Sequence, residues 1–356
     1  MGDIVKTSAS ITIKKADGTT SKKNLTNLNP NCTDRQIWYG ARSIYSLTKN
    51  EIKGISKTQE LNVDYEGGES IDANGGGDFV LDDKLDMSIV GNGGENNITL
   101  GANFSRVNLN NANSYIYNTG SYNTITTGQY SGDTIINTGS NNSINAGFIH
   151  NDDKNIIYST GDNNTLGAAN FLTVTAEGNN QVIYNAMAVT LCGDNSSIKT
   201  WNTTLANASI TGNNNTLRAQ TTVKAEISGD DNNIFGSSNA DSVTITGDNN
   251  SINAAQGNDK IYVTDTGVNG NVFVYPKAIS NGADTIYNFN SDKDILYFDA
   301  EPNISLYSAA AGTPPGIKFK ISGSSYAATV RFAESDVSSV RYRVGDDPEV
   351  RIYTLE

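Results

Sequence analysis

Residues 212–252 read GNNNTLRAQTTVKAEISGDDNNIFGSSNADSVTITGDNNSI. At Gly212, Gly229 and Gly247 a glycine opens a run of Asn and Asp, and five places on stands Leu217, Ile234 or Ile252. Two and four places before Gly229 stand Ile227 and Ala225; before Gly247 stand Ile245 and Val243. Glu226 and Thr244 lie between them, so apolar and polar residues alternate with the period of two that marks a half-buried strand. The pattern predicts a strand ending near the glycine, a Gly-Asx-Asn turn, a short second strand and a loop.

The same unit recurs upstream as GSYNTI from Gly120, GSNNSI from Gly139, GDNNTL from Gly161, GNNQVI from Gly178 and GDNSSI from Gly193. From Gly161 to Gly247 the steps are 17, 15, 19, 17 and 18 residues. A period of roughly 18 with scatter is that of a solenoid whose loops vary. The aliphatic after each turn is again constant: Ile125, Ile144, Leu166, Ile183 and Ile198. One coil alone buries almost nothing, whereas stacked coils place Ile on Ile and pair each inner backbone group with the next coil. The fold class is therefore all-β, a parallel β-solenoid spanning residues 66–300. Glycine takes the positive φ of a sharp corner freely, and asparagine tolerates it better than most residues. Asparagine can also stack on the next coil's asparagine, so Asn163, Asn164, Asn195, Asn214, Asn215, Asn232, Asn233, Asn249 and Asn250 are candidates for an amide ladder.

Composition agrees. Asparagine is roughly one residue in seven, far above ordinary usage. The net charge of −13 leaves no basic stripe to neutralise phosphates, which excludes a nucleic-acid partner. No apolar run is long enough to span a membrane, and the start MGDIVKTSAS carries no apolar signal region. Cys32 and Cys192 fall in different segments, too few for a disulfide framework.

Some turns carry a different motif. Gly257-Asn258-Asp259-Lys260-Ile261, Gly282-Ala283-Asp284-Thr285-Ile286 and Gly76-Gly77-Asp78-Phe79-Val80 read G-x-D-x-U, with U aliphatic. Asn239-Ala240-Asp241-Ser242-Val243 is the same with Asn for Gly. These fragments, and the tail from Gly282 to Asp299, resemble the haemolysin-type calcium-binding (RTX) repeats of secreted bacterial proteins. The resemblance implies a parallel β-roll, an extracellular location and Ca2+ as cofactor, with Asp78, Asp241, Asp259 and Asp284 as metal ligands. It is partial, because the full nonapeptide does not occur and most turns carry Asn where that family carries its ligand Asp.

The ends differ from the repeat. Residues 1–65 predict a small ββαβ domain: a hairpin about Asp17-Gly18, a helix capped by Thr33-Asp34 and running to about Leu47, then a strand. Residues 301–356 predict a β-rich cap with strands in GIKFKISG, YAATVRFAE and VSSVRYRVG, and with Arg331, Arg341 and Arg343 on a solvated face. Each end serves either as a cap or as an assembly surface.

Catalytic apparatus is not visible. The single histidine, His150, has no nucleophile elbow or metal-binding spacing around it, and no phosphate-binding glycine loop occurs. The expectation is a protein that is not an enzyme: a self-assembling extracellular filament or surface-layer subunit. Its partners would be copies of itself, joined through the terminal domains. The alternatives are an adhesin that binds cell-surface glycan through tyrosines such as Tyr117, Tyr122 and Tyr130, and a glycan-active enzyme on the same scaffold.

Overall fold

The computed structural model describes residues 10–14, 20–24, 35–39, 43–48, 51–53, 60–64, 70–72, 77–81, 88–91, 96–101, 103–109, 114–128, 132–147, 154–201, 207–265, 269–307, 314–334 and 337–355, with side chains from 98 onward except 169–171 and 265. Every regular element among them is a β-strand. The chain divides into two units, Met1–Val182 and Ile183–Glu356.

In the first unit the strands from Asn96 onward pair in parallel with the equivalent strands of the next coil. Asn96–Leu100 pairs with Ser114–Asn118, that strand with Thr134–Asn137, and that with Asn155–Ser159. The register puts Ile98, Ile116, Ile135 and Ile157 in one row, each at most 1% exposed. A second row runs through Val107, Ile125, Ile144 and Leu166. Burying a side chain of this size is worth about 1.5–3 kcal/mol, and in-register stacking repeats that gain at every coil without a thick core.

The second unit is built alike. Leu191, Ile210, Ile227, Ile245 and Val263 share one row, and Ile198, Leu217, Ile234, Ile252, Phe273 and Leu296 share another. All are buried. The inward positions that the repeat predicts are thus the core of both units.

At the N-terminal end Ser10–Lys14 and Thr20–Asn24 form the expected antiparallel pair. The helix expected to run to Leu47 is instead an antiparallel pair, Arg35–Tyr39 with Ser43–Thr48. Ile37, Trp38, Tyr39, Ile44 and Tyr45 are β-branched or aromatic, and they favour a pleated surface over the crowded face of a helix turn. Parallel pairing already includes Glu51–Lys53 with Ser70–Asp72 and Glu60–Asp64 with Gly77–Leu81.

At the C-terminal end Ala283–Tyr287 pairs in parallel with Ala328–Ala333, and Ile295–Phe298 with Ser339–Val344. There the pairing changes sense. Ala328–Ala333 continues antiparallel to Gly316–Ile321 and then Pro302–Tyr307, while Ser339–Val344 continues to Arg351–Thr354. Aromatic rings fill this end, with Phe298 against Phe319 and Phe289 against Phe332, both at 4.8 Å between centroids. The three arginines are half-buried rather than solvated: Arg331 lies over the Tyr307 ring and Arg341 donates to the carbonyl of Asp292.

Candidate functional site

The feature that sets this chain apart is its corners. Each glycine corner of the repeat contributes three successive positions with three separate duties. The third position after the glycine points inward and is buried, as at Asn215, Asn232 and Asn250. The Ser196 N–H donates to Asn215 Oδ1 at 2.8 Å, the Asn215 N–H to Asn232 Oδ1 at 2.8 Å, and the Asn232 N–H to Asn250 Oδ1 at 2.9 Å. The row continues from Asn250 N–H to Asn271 Oδ1 and from Asn271 N–H to Asp294 Oδ1. The other end of each amide is also used: Nδ2 of Asn215, Asn232 and Asn250 donates to the carbonyls of Gly193, Gly212 and Gly229 at 2.9–3.0 Å. Each asparagine thus satisfies one donor and one acceptor that a corner would otherwise bury unpaired, at a cost of about 1–3 kcal/mol apiece. In the first unit Asn123, Asn142 and Asn164 accept in the same way, and Nδ2 of Asn142 and Asn164 donates to the carbonyls of Gly120 and Gly139.

The ladder explains the glycine. A Cβ on Gly229 would stand 2.1 Å from the Gly212 carbonyl oxygen, and its φ of +138° is closed to other residues. Asn163, Asn195, Asn214 and Asn249, second after their glycines, hold φ between 55° and 58° in the left-handed region, where asparagine is the best tolerated residue after glycine. The first position forms an outer row, Asn213 N–H to Asp194 Oδ1, Asp230 N–H to Asn213 Oδ1 and Asp248 N–H to Asp230 Oδ1.

Of the nine ladder candidates, Asn164, Asn215, Asn232 and Asn250 are the inner rungs. Asn163, Asn195, Asn214 and Asn249 turn the chain, and Asn233 is exposed on the strand Asn233–Phe235. The link is also not the expected one. Among the described residues of the second unit the rung amides bond to backbone; amide-to-amide contacts occur in the first unit, such as Asn118 Nδ2 to Asn137 Oδ1 at 2.7 Å.

The G-x-D motifs mark a second corner of the same coils. Asp241, Asp259 and Asp284 are at most 3% exposed and stand in one row. Val223 N–H donates to Asp241 Oδ1 at 2.7 Å, Asp241 N–H to Asp259 Oδ1 at 2.7 Å and Asp259 N–H to Asp284 Oδ1 at 3.0 Å. Asp133 takes the equivalent place in the first unit, accepting from Ser114 N–H. Asp78 lies on Gly77–Leu81 in register with Glu60 and Asn97, and its side chain is outside the described residues. The structure therefore brings together three of the four predicted carboxyls, as rungs.

This donor set does not fit calcium, which takes six to eight oxygens. Both oxygens of Asp241 are occupied, Oδ2 by the Ser237 N–H at 2.7 Å and Oδ1 by Val223 N–H and the Ser237 hydroxyl. Asp259 and Asp284 have only Oδ2 to offer, in a buried site. Among the described residues no three His, Cys, Asp or Glu side chains are gathered to hold a metal. Burial raises the pKa of Asp241, partly offset by its bonds from Ser237 and Val223. Burial also raises Asp259 and Asp284; the charge of Asp241 raises Asp259 further, and that of Asp259 raises Asp284.

Two further residues of the corners lie outside the sequence motifs. Asp294 ends the amide row, accepting from Asn271 and Asn290 N–H at 2.8 Å, and burial pushes it to about 6. Its signal was its place two before Leu296, the offset of Asn250 from Ile252. Tyr275, buried beside Asp284 and Asp259, had no sequence signal. His150 and Tyr130 lie outside the described residues. Compared with known protein families, curated proteins and solved structures, the chain matches none of them.

Proposed function

We propose that the protein is a structural, self-assembling subunit of an extracellular filament or surface layer. One observation carries the reading: both pairing series end in strands that are hydrogen-bonded on one side. Among the described pairings Pro302–Tyr307 pairs only with Gly316–Ile321, and Arg351–Thr354 only with Ser339–Val344. Each also leaves an apolar residue in water, Leu306 at 42% and Ile352 at 67% exposed. An unpaired edge bearing apolar side chains is a template for another chain. The repeats' likeness to those of secreted proteins supports the location, and the doubly satisfied corners support a load-resisting role.

Negative-stain microscopy and sedimentation of the full chain test it. Ordered fibres or sheets are expected, and L306K/I352K is expected to remain single particles of unchanged stability. Single particles from the unaltered chain at every concentration overturn the reading.

A second reading, binding of neutral glycan, rests on a separate observation. Where other corners carry Asn or Asp, two carry exposed aromatics in the same left-handed conformation: Phe104 at φ 55° and Tyr122 at φ 61°. Their rings stack at 4.9 Å with planes 6° apart. Strain held in place at an exposed ring points to use of that ring. Tyr122→Asn, which restores the repeat, should stabilise the chain by about 1 kcal/mol. It should also weaken retention on a glycan array; unchanged retention removes this reading.

A further inference from the structure

We infer that Asp259 and Asp284 are built into the second corner as a proton-sharing pair of acids rather than as cation ligands, so that their coils tighten in acid and loosen in alkali. The geometry comes first. Each carboxyl uses Oδ1 to accept the backbone N–H of the preceding coil, Asp241 N–H for Asp259 and Asp259 N–H for Asp284. Their Oδ2 atoms are buried without a conventional donor, as is Tyr275 Oη beside them. Carboxylates only accept, so two that face each other interact favourably only when one carries a proton. The carboxyls of Asp259 and Asp284 do interact, and Asp284 also reaches Tyr275. The Tyr275 hydroxyl can donate to Asp284, and a proton held between the two carboxyls supplies the donor that Asp259 lacks. Asp241 differs because the Ser237 N–H already fills its Oδ2.

Among the described residues no counter-charge faces the pair. Asp241 faces Asp259 from the preceding coil, Asp284 from the following one, and Tyr275 from Val272–Tyr275. Lys224, Lys260 and Arg331 share the register of Ser242 and Thr285, one residue on from the carboxyls and on the opposite face of the strands. Lys318 and Lys320 on Gly316–Ile321 are exposed. Burial, helped by repulsion of Asp259 by Asp241 and of Asp284 by Asp259, lifts Asp259 to about 7 and Asp284 to about 8. Folded values raised above the ordinary Asp value of about 3.9 mean stability fully present below that pH and lost as pH rises through about 7 to 8.

Asp259→Asn makes the donor permanent: the amide keeps Oδ1 for Asp241 N–H and offers Nδ2 to Asp284. Thermal melts of the full chain from pH 5 to 8.5 are expected to show a falling Tm for the unaltered protein. D259N should match it at pH 5 and exceed it at pH 8.5. Asp241→Asn, which sets an NH2 group against the Ser237 N–H, should lower Tm throughout. Infrared difference spectra provide a readout independent of the variant's stability. The protonated-carboxyl band at pH 6.5 should be stronger in the unaltered protein than in D259N, where Asp294 still contributes. Bands of equal strength in the two proteins overturn the inference. So does a calcium-dependent rise in Tm that D259N abolishes, since it would make the pair a cation site.

Discussion

At the level of single residues the corner is a division of labour among Gly, a left-handed Asn and a buried Asn, and the three are not interchangeable. Asn232→Ala keeps the backbone path but strands the Asn215 N–H and the Gly212 carbonyl. It should cost about 2–4 kcal/mol in urea unfolding. Gly229→Ala should cost more and reduce yield, because the Cβ collides with fixed backbone and the φ of +138° is denied to alanine. An N232A cost below about 0.5 kcal/mol would mean that water replaces the amide. Adjacent asparagines look alike in sequence, so the rung at Asn232 and the turn residue at Asn249 are told apart only by counting back from Ile234 and Ile252. The inward aliphatics are legible for the opposite reason: period-2 alternation is a property of one strand and needs no knowledge of its neighbours. Tyr275 could not be found, since its role depends on a carboxyl brought to it by another coil.

Among the elements, each coil turns at two corners, and each corner carries its own row. The sequence shows the glycine corner plainly because Gly-Asx-Asn repeats. The second corner holds Asp133, Asn155, Asp241, Asp259 or Asp284 at varying spacing, and so resembles a separate calcium motif. A buried aspartate that accepts a backbone N–H and one that binds an ion have the same local sequence; only the partners of Oδ1 and Oδ2 separate them. Arg35–Thr48 failed for another reason. Apolar residues at 37, 41, 44 and 45 fit a helical face, yet Trp38, Tyr39 and Ser43 between them fit a hairpin equally well, and pairing decided. Asp294 gives an element-scale prediction. Its pKa is raised to about 6, so it favours the folded state below about 3.9 and loses that contribution as pH rises through 6. Asp294→Asn should remove that part of the pH slope. It should also lower stability by about 1–3 kcal/mol, because the new NH2 opposes the Asn290 N–H that Oδ2 accepts. A D294N protein as stable as the unaltered chain at pH 5 would contradict the double acceptance.

For the whole molecule the governing quantities are charge and edges. A net charge of −13 makes copies repel, while Leu306 and Ile352 on one-sided strands favour addition. Association should therefore strengthen as salt rises from about 0.01 to 0.2 M, where the screening length falls from about 30 Å to below 10 Å. Sedimentation reads this directly, and association that weakens with salt would assign the contact to ion pairs instead. The most direct test of the central claim, that side-chain rungs hold the corners as firmly as the ladders hold the strands, is amide hydrogen exchange resolved at residues 196–250. Asn215 and Asn232 N–H should exchange as slowly as Ile227 and Ile245, and N232A should release Asn215. Corners that exchange at the rate of exposed loops, with slow strands on either side, would contradict it.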